Sequence, residues 1–262
     1  MIFYFSGTGN SQWAAKIMAS SDERVVFMSP ETAEETYTLD EGERLGFCYP
    51  VHGWQPPRYV RKFIEKLKIT NTEGHYCYLL LTCGDNIGMT MEISRKMFNE
   101  IGIHISRTFQ IQMPESYVAL PGMDVDTEAN ECKKIDDAFD LLGEYKRALN
   151  SKIEGNDLIL DKGKCPWLLS HVVGAFFNRF MITDRPFIVD NNLCKRCGKC
   201  QKACPVNNVG KNEDGTPRWK HNGKCVTCLS CYHHCPFHAI NYGVFTKKHG
   251  QYYLGRNTNI VV

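Results

Sequence analysis

The chain has 262 residues, of which 43% are hydrophobic and 23% charged, so it carries enough apolar surface to fold and is not disordered throughout. No run of about 18 apolar residues is present, which predicts that no transmembrane segment crosses a bilayer. The first residues have no basic stretch before their apolar run, and we expect a cytoplasmic protein without a signal peptide.

Charge and cysteine are unevenly distributed along the chain. Residues 191–262 hold 11 Lys and Arg against 2 Asp and Glu, a local charge of +9, and residues 1–190 have a local charge of −7. This asymmetry predicts two domains of different character. Thirteen cysteines are too many for an ordinary cytosolic domain, and a disulfide framework belongs to short secreted chains.

The first 150 residues alternate between strand and helix patterns. We expect strands at residues 1–5, 25–28, 45–49, 76–82 and 106–112. Helices are expected at 12–20, 58–68, 88–102 and 127–150, with at most a short helix between the second and third strands. The alternation predicts an α/β fold, a doubly wound five-stranded parallel sheet.

A small polar loop separates the first strand from the first helix. It consists of Ser6, Gly7, Thr8, Gly9, Asn10 and Ser11. Backbone N–H groups at a helix N-terminus favour a phosphate, and the glycines let the backbone approach it closely. The loop matches the [ST]-x-T-G-x-[ST] pattern and so resembles the phosphate loop of flavodoxins. The alternative is a tight turn without a ligand.

In sheets of this class the ligand binds beyond the carboxyl ends of the strands. The loops after the third and fourth strands supply our candidate flavin-binding residues, which are Pro50, Val51, His52, Gly53, Trp54, Thr82, Cys83, Gly84 and Asp85. Trp54 is placed to stack on a flavin ring, or is an ordinary core or exposed tryptophan. Tyr117, after the fifth strand, either borders the flavin or only fixes its loop.

Residues 164–183 have apolar side chains at spacings of three and four, which predicts an amphipathic helix. We expect it to pack across the α/β domain or to join the two domains. A membrane-surface helix would need a more strongly cationic polar face, so packing is the favoured interpretation.

Eight cysteines form two runs of the type C-x2-C-x2-C-x3-C-P, and each member of the second run follows its counterpart by 31 residues. Three thiolates at this spacing surround one face of a cuboidal cluster, and a fourth must come from elsewhere. Structural zinc, which usually uses two separated C-x2-C pairs, and plain core thiols are the alternatives. We expect the neighbouring His233 and His234 to face solvent.

Residues 186–243 resemble a bacterial two-cluster ferredoxin, with Phe187–Val189 and Ile240–Tyr242 as its paired outer strands. In that family the fourth cysteine of each run binds the other cluster. The resemblance implies two [4Fe-4S] sites, one held by Cys194, Cys197, Cys200 and Cys235 and the other by Cys225, Cys228, Cys231 and Cys204.

The combination of both patterns resembles the EFR1-type flavodoxin–ferredoxin fusion proteins. The resemblance implies a flavodoxin-like FMN-binding domain at 1–160 and an amphipathic connector at 161–185. A small α+β ferredoxin domain with a C-terminal tail follows at 186–262.

Both cofactor signatures in one chain predict an electron-transfer protein that couples FMN to two [4Fe-4S] clusters and converts between one- and two-electron carriers. The alternatives are a flavin-dependent reductase of a small substrate and an Fe–S redox sensor. Whether the chain is a carrier or an enzyme stays open. Its expected partners are redox proteins, and we expect no nucleic acid because no lysine- or arginine-rich run appears.

Overall fold

The computed structural model describes residues 1–151, 156–159 and 161–257. These residues divide into two compact units. The first consists of Met1–Ser6, Ser11–Met113 and Lys134–Arg179. The second consists of Gly7–Asn10, Pro114–Lys133 and Phe180–Val262. The last five residues of the expected C-terminal tail lie outside the described range.

The first unit is built around a parallel sheet, of which five strands are described. They are β1 (Ile2–Tyr4), β2 (Val25–Phe27), β4 (Leu45–Pro50), β6 (Cys77–Cys83) and β7 (Arg107–Gln112), in the order β2-β1-β4-β6-β7. Counted among themselves these strands run 2-1-3-4-5, the flavodoxin-like order of a doubly wound sheet. The predicted α/β fold class is therefore confirmed. The sequence did not predict a separate parallel pair, β3 (Thr36–Thr38) with β5 (Lys68–Thr70).

Among the residues described, four helices lie between the strands of this sheet in the chain, and a fifth follows the last strand. They are α1 (Asn10–Met18), α2 (Pro30–Glu34), α3 (Arg58–Lys66), α4 (Thr90–Glu100) and α5 (Glu128–Asn150). The central strands β4 and β6 are buried along nearly their whole length, as continuous apolar runs in a parallel sheet require. Their carboxyl ends lie side by side, because Pro50 pairs with Thr82.

A long helical segment, α6, follows at residues 166–181, of which residues 166–179 belong to the first unit. It alternates between α-helical turns at Pro166–Leu168 and Gly174–Phe176 and π-helical turns at Leu169–Val173 and Phe177–Met181. The expected amphipathic helix is present, but its small and polar side is the one that is buried. Ser170, Gly174 and Asn178 face inward, while Trp167 and Phe176 are 61% and 58% exposed.

The inward face of α6 is held by hydrogen bonds to loops of the first unit. The backbone N–H of Met89 donates to Ser170 Oγ over 2.8 Å, and Asn178 Nδ2 donates to the carbonyl oxygen of His52 over 3.2 Å. Gln55 Nε2 donates to the Ser170 carbonyl oxygen. Polar bonding to backbone, not apolar packing, therefore sets the orientation of this helix.

Short strands and helical turns make up the second unit. Its described strands are β8 (Phe187–Val189), β9 (Val209–Lys211), β10 (Pro217–Trp219) and β11 (Ile240–Tyr242). β8 and β11 pair antiparallel, which confirms the expected outer strands, and β9 pairs antiparallel with β10. Its helical turns are α7 (Lys199–Lys202) and α8 (Ser230–His233), with a 3₁₀ turn at Phe245–Lys248. Among the described helices of the chain, none is long and apolar enough to cross a membrane.

Candidate functional site

One cavity of the second unit is lined by three cysteines of the first run and one of the second. These are Cys194, Cys197, Cys200 and Cys235. Four cationic residues, Lys195, Arg196, Lys199 and Lys211, also line this cavity. Positive charge of this kind suits an anionic group held by thiolates.

A second cavity is lined by the other four cysteines of the two runs. It is lined by Cys225, Cys228 and Cys231 of the second run and by Cys204 of the first. The remaining lining is mostly apolar and includes Phe187, Val209, Trp219 and Leu229. Each cavity therefore brings together the four cysteines that the sequence assigns to one cluster.

The backbones of the two cysteine loops repeat as their sequences do. Three pairs of positions 31 residues apart share a left-handed conformation, and these are Arg196 with Thr227, Gly198 with Leu229, and Asn207 with His238. The helical turns α7 and α8 also begin 31 residues apart, at Lys199 and Ser230. The same loop shape is thus built twice, which explains why both cavities receive three neighbouring thiols and a fourth from the other run.

Backbone amides point at several of these sulfur atoms. The N–H of Asn208 donates to Cys204 Sγ over 3.2 Å, and the N–H of Ala239, 31 residues later, donates to Cys235 Sγ over 3.3 Å. Such donors stabilise negative charge on sulfur and are one of the means by which proteins adjust cluster potentials. Burial raises the pKa of the Cys200 and Cys225 thiols to about 11.

The donor set fits a [4Fe-4S] cluster in each cavity. Each cavity is lined by four cysteines, and the sulfur of at least one of them accepts a backbone N–H. Among the side chains that the structure describes, no three His, Cys, Asp or Glu groups are arranged to hold one metal ion.

His233 is not at the surface, which corrects our expectation for that residue. Its side chain is fully buried, Nε2 lies 2.7 Å from the carbonyl oxygen of Ser116, and Nδ1 accepts the backbone N–H of Tyr252 over 3.1 Å. Burial lowers its pKa to about 3, so the neutral ring donates through Nε2. His234 is half-buried and stacks on Tyr253. No local pattern in the sequence pointed to these partners, which lie 19 or more residues away.

Four residues of the predicted phosphate loop, Gly7–Asn10, belong to the second unit, and Gly7 contacts the second cysteine run. A Cβ atom at Gly7 would lie 2.7 Å from Cys228 Cβ and 3.2 Å from its sulfur, so only glycine fits there. The loop continues into α1, whose first N–H groups have no acceptor within the helix.

The C-terminal part of the second unit holds the same loop in place. The N–H of Leu254 donates to the carbonyl oxygen of Thr8 over 2.8 Å, and the Tyr252 hydroxyl donates to Asn10 Oδ1. Asn10 Nδ2 donates in turn to the carbonyl oxygen of Pro114 over 3.3 Å. The Asn10 side chain is therefore occupied in fixing the loop, a role that the sequence did not reveal.

Tyr117 lies in the segment Pro114–Lys133, which is also part of the second unit. Tyr117 packs against the apolar core that contains Cys200, Cys231 and Cys235, and burial raises the pKa of its hydroxyl. The segment is fixed to the cysteine region by the Ser116–His233 hydrogen bond and by Asp124, which accepts the N–H of Gly250 over 2.8 Å.

The remaining flavin candidates belong to the first unit, where two strand ends bring several of them together. Ser11 Oγ and Thr82 Oγ1 are 2.8 Å apart and share a hydrogen bond, and the N–H of Val51 donates to the Thr82 carbonyl oxygen over 2.9 Å. The Cys83 thiol donates to the carbonyl oxygen of Asp85 over 3.2 Å, across Gly84. Hydroxyls and a tight loop thus meet where β4 and β6 end.

The loop after β4 is covered by α6 on one side. A Cβ at Gly53 would lie 2.5 Å from the Phe177 ring, so the helix and the loop touch through this glycine. His52 is largely buried, and desolvation lowers its pKa to about 4. Trp54 is half-buried in a left-handed conformation. Its stacking on a flavin stays a prediction.

Comparison with known proteins identifies the cysteine region. Residues 187–236 match the 4Fe-4S dicluster domain family. The chain is 36% identical over 58 residues to the pyruvate synthase subunit PorD of Methanocaldococcus jannaschii, which is 22% of this chain and 65% of that protein. It is also 36% identical over 56 residues to a ferredoxin of Pyrobaculum islandicum, which is 21% of this chain and 50% of that protein. The match thus spans less than two thirds of either relative.

Among solved structures, the chain is similar to an FMN-dependent NADH-azoreductase of Bacillus anthracis in complex with FMN. The similarity has a TM-score of 0.36 at 10% sequence identity and covers 56% of this chain and 98% of that one. The specific match to a family therefore concerns the cysteine region, and it places a 4Fe-4S domain in the second unit.

Proposed function

We propose that this chain is an electron-transfer protein that binds FMN and two [4Fe-4S] clusters and passes electrons between one- and two-electron carriers. The observation that carries the proposal is the contact between Gly7 and Cys228 inside the second unit. A residue of a phosphate-type loop touches a candidate cluster ligand, so a flavin bound at this loop would lie near a cluster.

For the clusters, the proposed ligands are the two sets of four cysteines. They are Cys194, Cys197, Cys200 and Cys235, and Cys204, Cys225, Cys228 and Cys231. The match to the 4Fe-4S dicluster domain family and the two cavities, each lined by four cysteines, support this assignment. Burial of Cys231 and partial burial of Cys228 beside apolar side chains would limit the access of water and of redox partners to the second cluster.

For FMN, the proposed phosphate donors are the backbone N–H groups and hydroxyls of Ser6–Ser11. The donor set fits a phosphate because it contains hydroxyls and a helix N-terminus. The proposed ring contacts are the loops at Pro50–Trp54 and Thr82–Asp85, with Tyr117. Glycines within these loops allow close approach of the backbone to a flat ring.

FMN when bound exchanges one or two electrons and each cluster exchanges one, so the pair can join the two kinds of carrier. The protein's own contribution is position and electrostatics. Gly7 keeps the loop in contact with Cys228, the Tyr252 and Leu254 bonds hold that loop still, and amide donors stabilise charge on sulfur. Fixed positions of this kind let electrons move without rearrangement of the surrounding groups.

Residues 191–262 have a local charge of +9, which two oxidised clusters of formal charge about −2 each would lower to about +5. The remaining positive charge supports an acidic redox partner for the region that would hold the clusters. The cations that line the first cavity, Lys195, Arg196, Lys199 and Lys211, would face such a partner if electrons enter or leave there. Raising the ionic strength should then slow electron exchange with an acidic carrier, because the attraction is screened.

The test is the flavin, iron and sulfide content of the full chain purified without oxygen. The proposal predicts about one FMN, eight irons and eight sulfides per chain. Eight irons with no flavin, even after FMN is added, would refute the coupling and leave a ferredoxin with an attached α/β domain. Steady turnover of a small acceptor without any protein partner would instead favour the flavin reductase.

A further inference from the structure

Trp219 has a buried polar group that no protein atom satisfies. The side chain is 6% exposed, and its indole Nε1 has no hydrogen-bond acceptor among the described residues. A buried donor left unpaired destabilises the folded protein, so proteins rarely leave one without a purpose. The indole N–H of Trp219 therefore needs a hydrogen-bond acceptor that the described residues do not supply.

The ring of Trp219 is held in one orientation. It stacks on Phe187 with ring centroids 4.9 Å apart and planes only 2° from parallel. Phe187 is fixed in turn by the edge of the Tyr242 ring at 4.9 Å. The backbone of Trp219 is paired with Val209 in the β9–β10 ribbon. The indole N–H is consequently fixed in direction as well as buried.

The surroundings of the ring show where that acceptor lies. Trp219 lines the cavity formed by Cys204, Cys225, Cys228 and Cys231. Because the unpaired indole N–H belongs to a ring that lines this cavity, the cavity is the place where an acceptor for it can lie.

The first cavity has no equivalent donor at the matching position. The residue 31 positions before Trp219 is Ile188, which has no side-chain N–H and is exposed. The repeat is therefore broken at this point, and only one of the two cavities receives an indole N–H from it. A hydrogen-bond donor present at only one of two otherwise similar clusters can give them different reduction potentials.

We propose that the indole N–H of Trp219 donates a hydrogen bond to a sulfur atom of the cluster held by Cys204, Cys225, Cys228 and Cys231, and raises that cluster's reduction potential. The inference rests on the proposed function, because it requires the cluster. One-electron reduction adds negative charge that spreads over the sulfurs, and a donor stabilises the reduced form more than the oxidised form. Trp219 acts only as a hydrogen-bond donor to the cluster and is not itself oxidised or reduced.

The test compares two tryptophan variants of the full chain, purified without oxygen. Trp219→Phe removes the N–H and keeps an aromatic ring against Phe187. Trp167→Phe is the matched control, because Trp167 is exposed in the first unit. Reduction potentials are measured for both clusters by redox titration followed by electron paramagnetic resonance, and iron is counted in each sample.

The proposal predicts that Trp219→Phe keeps eight irons and lowers the potential of one cluster while the other is unchanged. Trp167→Phe should change neither. Unchanged potentials in a Trp219→Phe protein with full iron would overturn the proposal. A wild-type protein that binds no iron would overturn the proposed function as well, so the two failures are distinguishable.

A second measurement covers the case in which Trp219→Phe loses the cluster. Wild-type protein carrying ¹⁵N in its indole rings is reduced, and electron–nuclear double resonance is recorded on the cluster signal. A coupling between the cluster and an indole nitrogen that persists in Trp167→Phe supports the proposal. The absence of any such coupling in the reduced wild-type protein overturns it.

Discussion

Replacement of Gly174 by alanine should destabilise the first unit, although alanine is the better helix former. A Cβ atom at Gly174 would overlap the carbonyl oxygen of Gly53 and come within 2.9 Å of the Leu169 carbonyl oxygen, closer than real Cβ atoms lie. Neither neighbour is a movable side-chain end. The helix α6 must therefore shift away from the loop after β4.

The magnitude follows from the bonds that such a shift would break. Ser170 accepts from Met89 and Gln55, and Asn178 donates to His52, which makes three hydrogen bonds between α6 and the loops. Each contributes about 1 kcal/mol net, so their loss costs about 3 kcal/mol. Alanine returns about 1 kcal/mol of helix propensity, which leaves a net loss of about 2 kcal/mol.

Gly143→Ala is the matched control, because Gly143 also lies within a helix, α5, of the first unit. A Cβ there meets only the end of the flexible Arg147 side chain, at 3.7 Å. This variant should gain about 1 kcal/mol of unfolding free energy. Urea denaturation of both full-length proteins, followed by circular dichroism, measures the difference. If Gly174→Ala is as stable as Gly143→Ala, the tight contact between α6 and the loop is wrong.

Three further predictions concern the clusters and pH. Cys228→Ala should lower the iron content from about eight to about four per chain, whereas the control Cys132→Ala should leave it at about eight. Equal iron content in the two variants would refute the assignment of Cys228 as a ligand. Gly7→Ala should broaden or shift the signal of one reduced cluster, because the new methyl group would press on Cys228, and an unaltered spectrum would contradict that contact. Desolvation lowers the pKa of half-buried His52 from 6.5 to about 4, so folding stability that is full above pH 6.5 should decline towards pH 4 by up to about 3 kcal/mol. His52→Gln should flatten this slope, and the exposed His171→Gln should not.

The parts of the fold that the sequence predicted are those determined by local patterns. Apolar runs identified the strands of the sheet, and their alternation with helical segments identified the α/β class. The resemblance of residues 186–243 to two-cluster ferredoxins identified the paired outer strands β8 and β11. The strands Thr36–Thr38 and Lys68–Thr70 were missed, because three residues of mixed polarity carry no usable period.

The parts that could not be predicted depend on contacts between residues far apart in the chain. The burial of His233 follows from its bond to Ser116, 117 residues away, and the bond between Tyr252 and Asn10 joins residues 242 apart. The orientation of α6 was expected to follow its apolar face. Instead, the hydrogen bonds of Ser170 and Asn178 with loop backbone hold the helix with its polar side inward. A pattern of apolar residues carries no information about such bonds.

Electron transfer between the proposed cofactors tests the central claim most directly. The clusters of the full chain are reduced by a light pulse in the absence of oxygen, and the flavin absorbance is followed at several protein concentrations. The account predicts that the flavin is reduced at a rate independent of concentration, because donor and acceptor belong to one chain. Flavin that stays oxidised while the clusters are reduced, or a rate proportional to protein concentration, would contradict it.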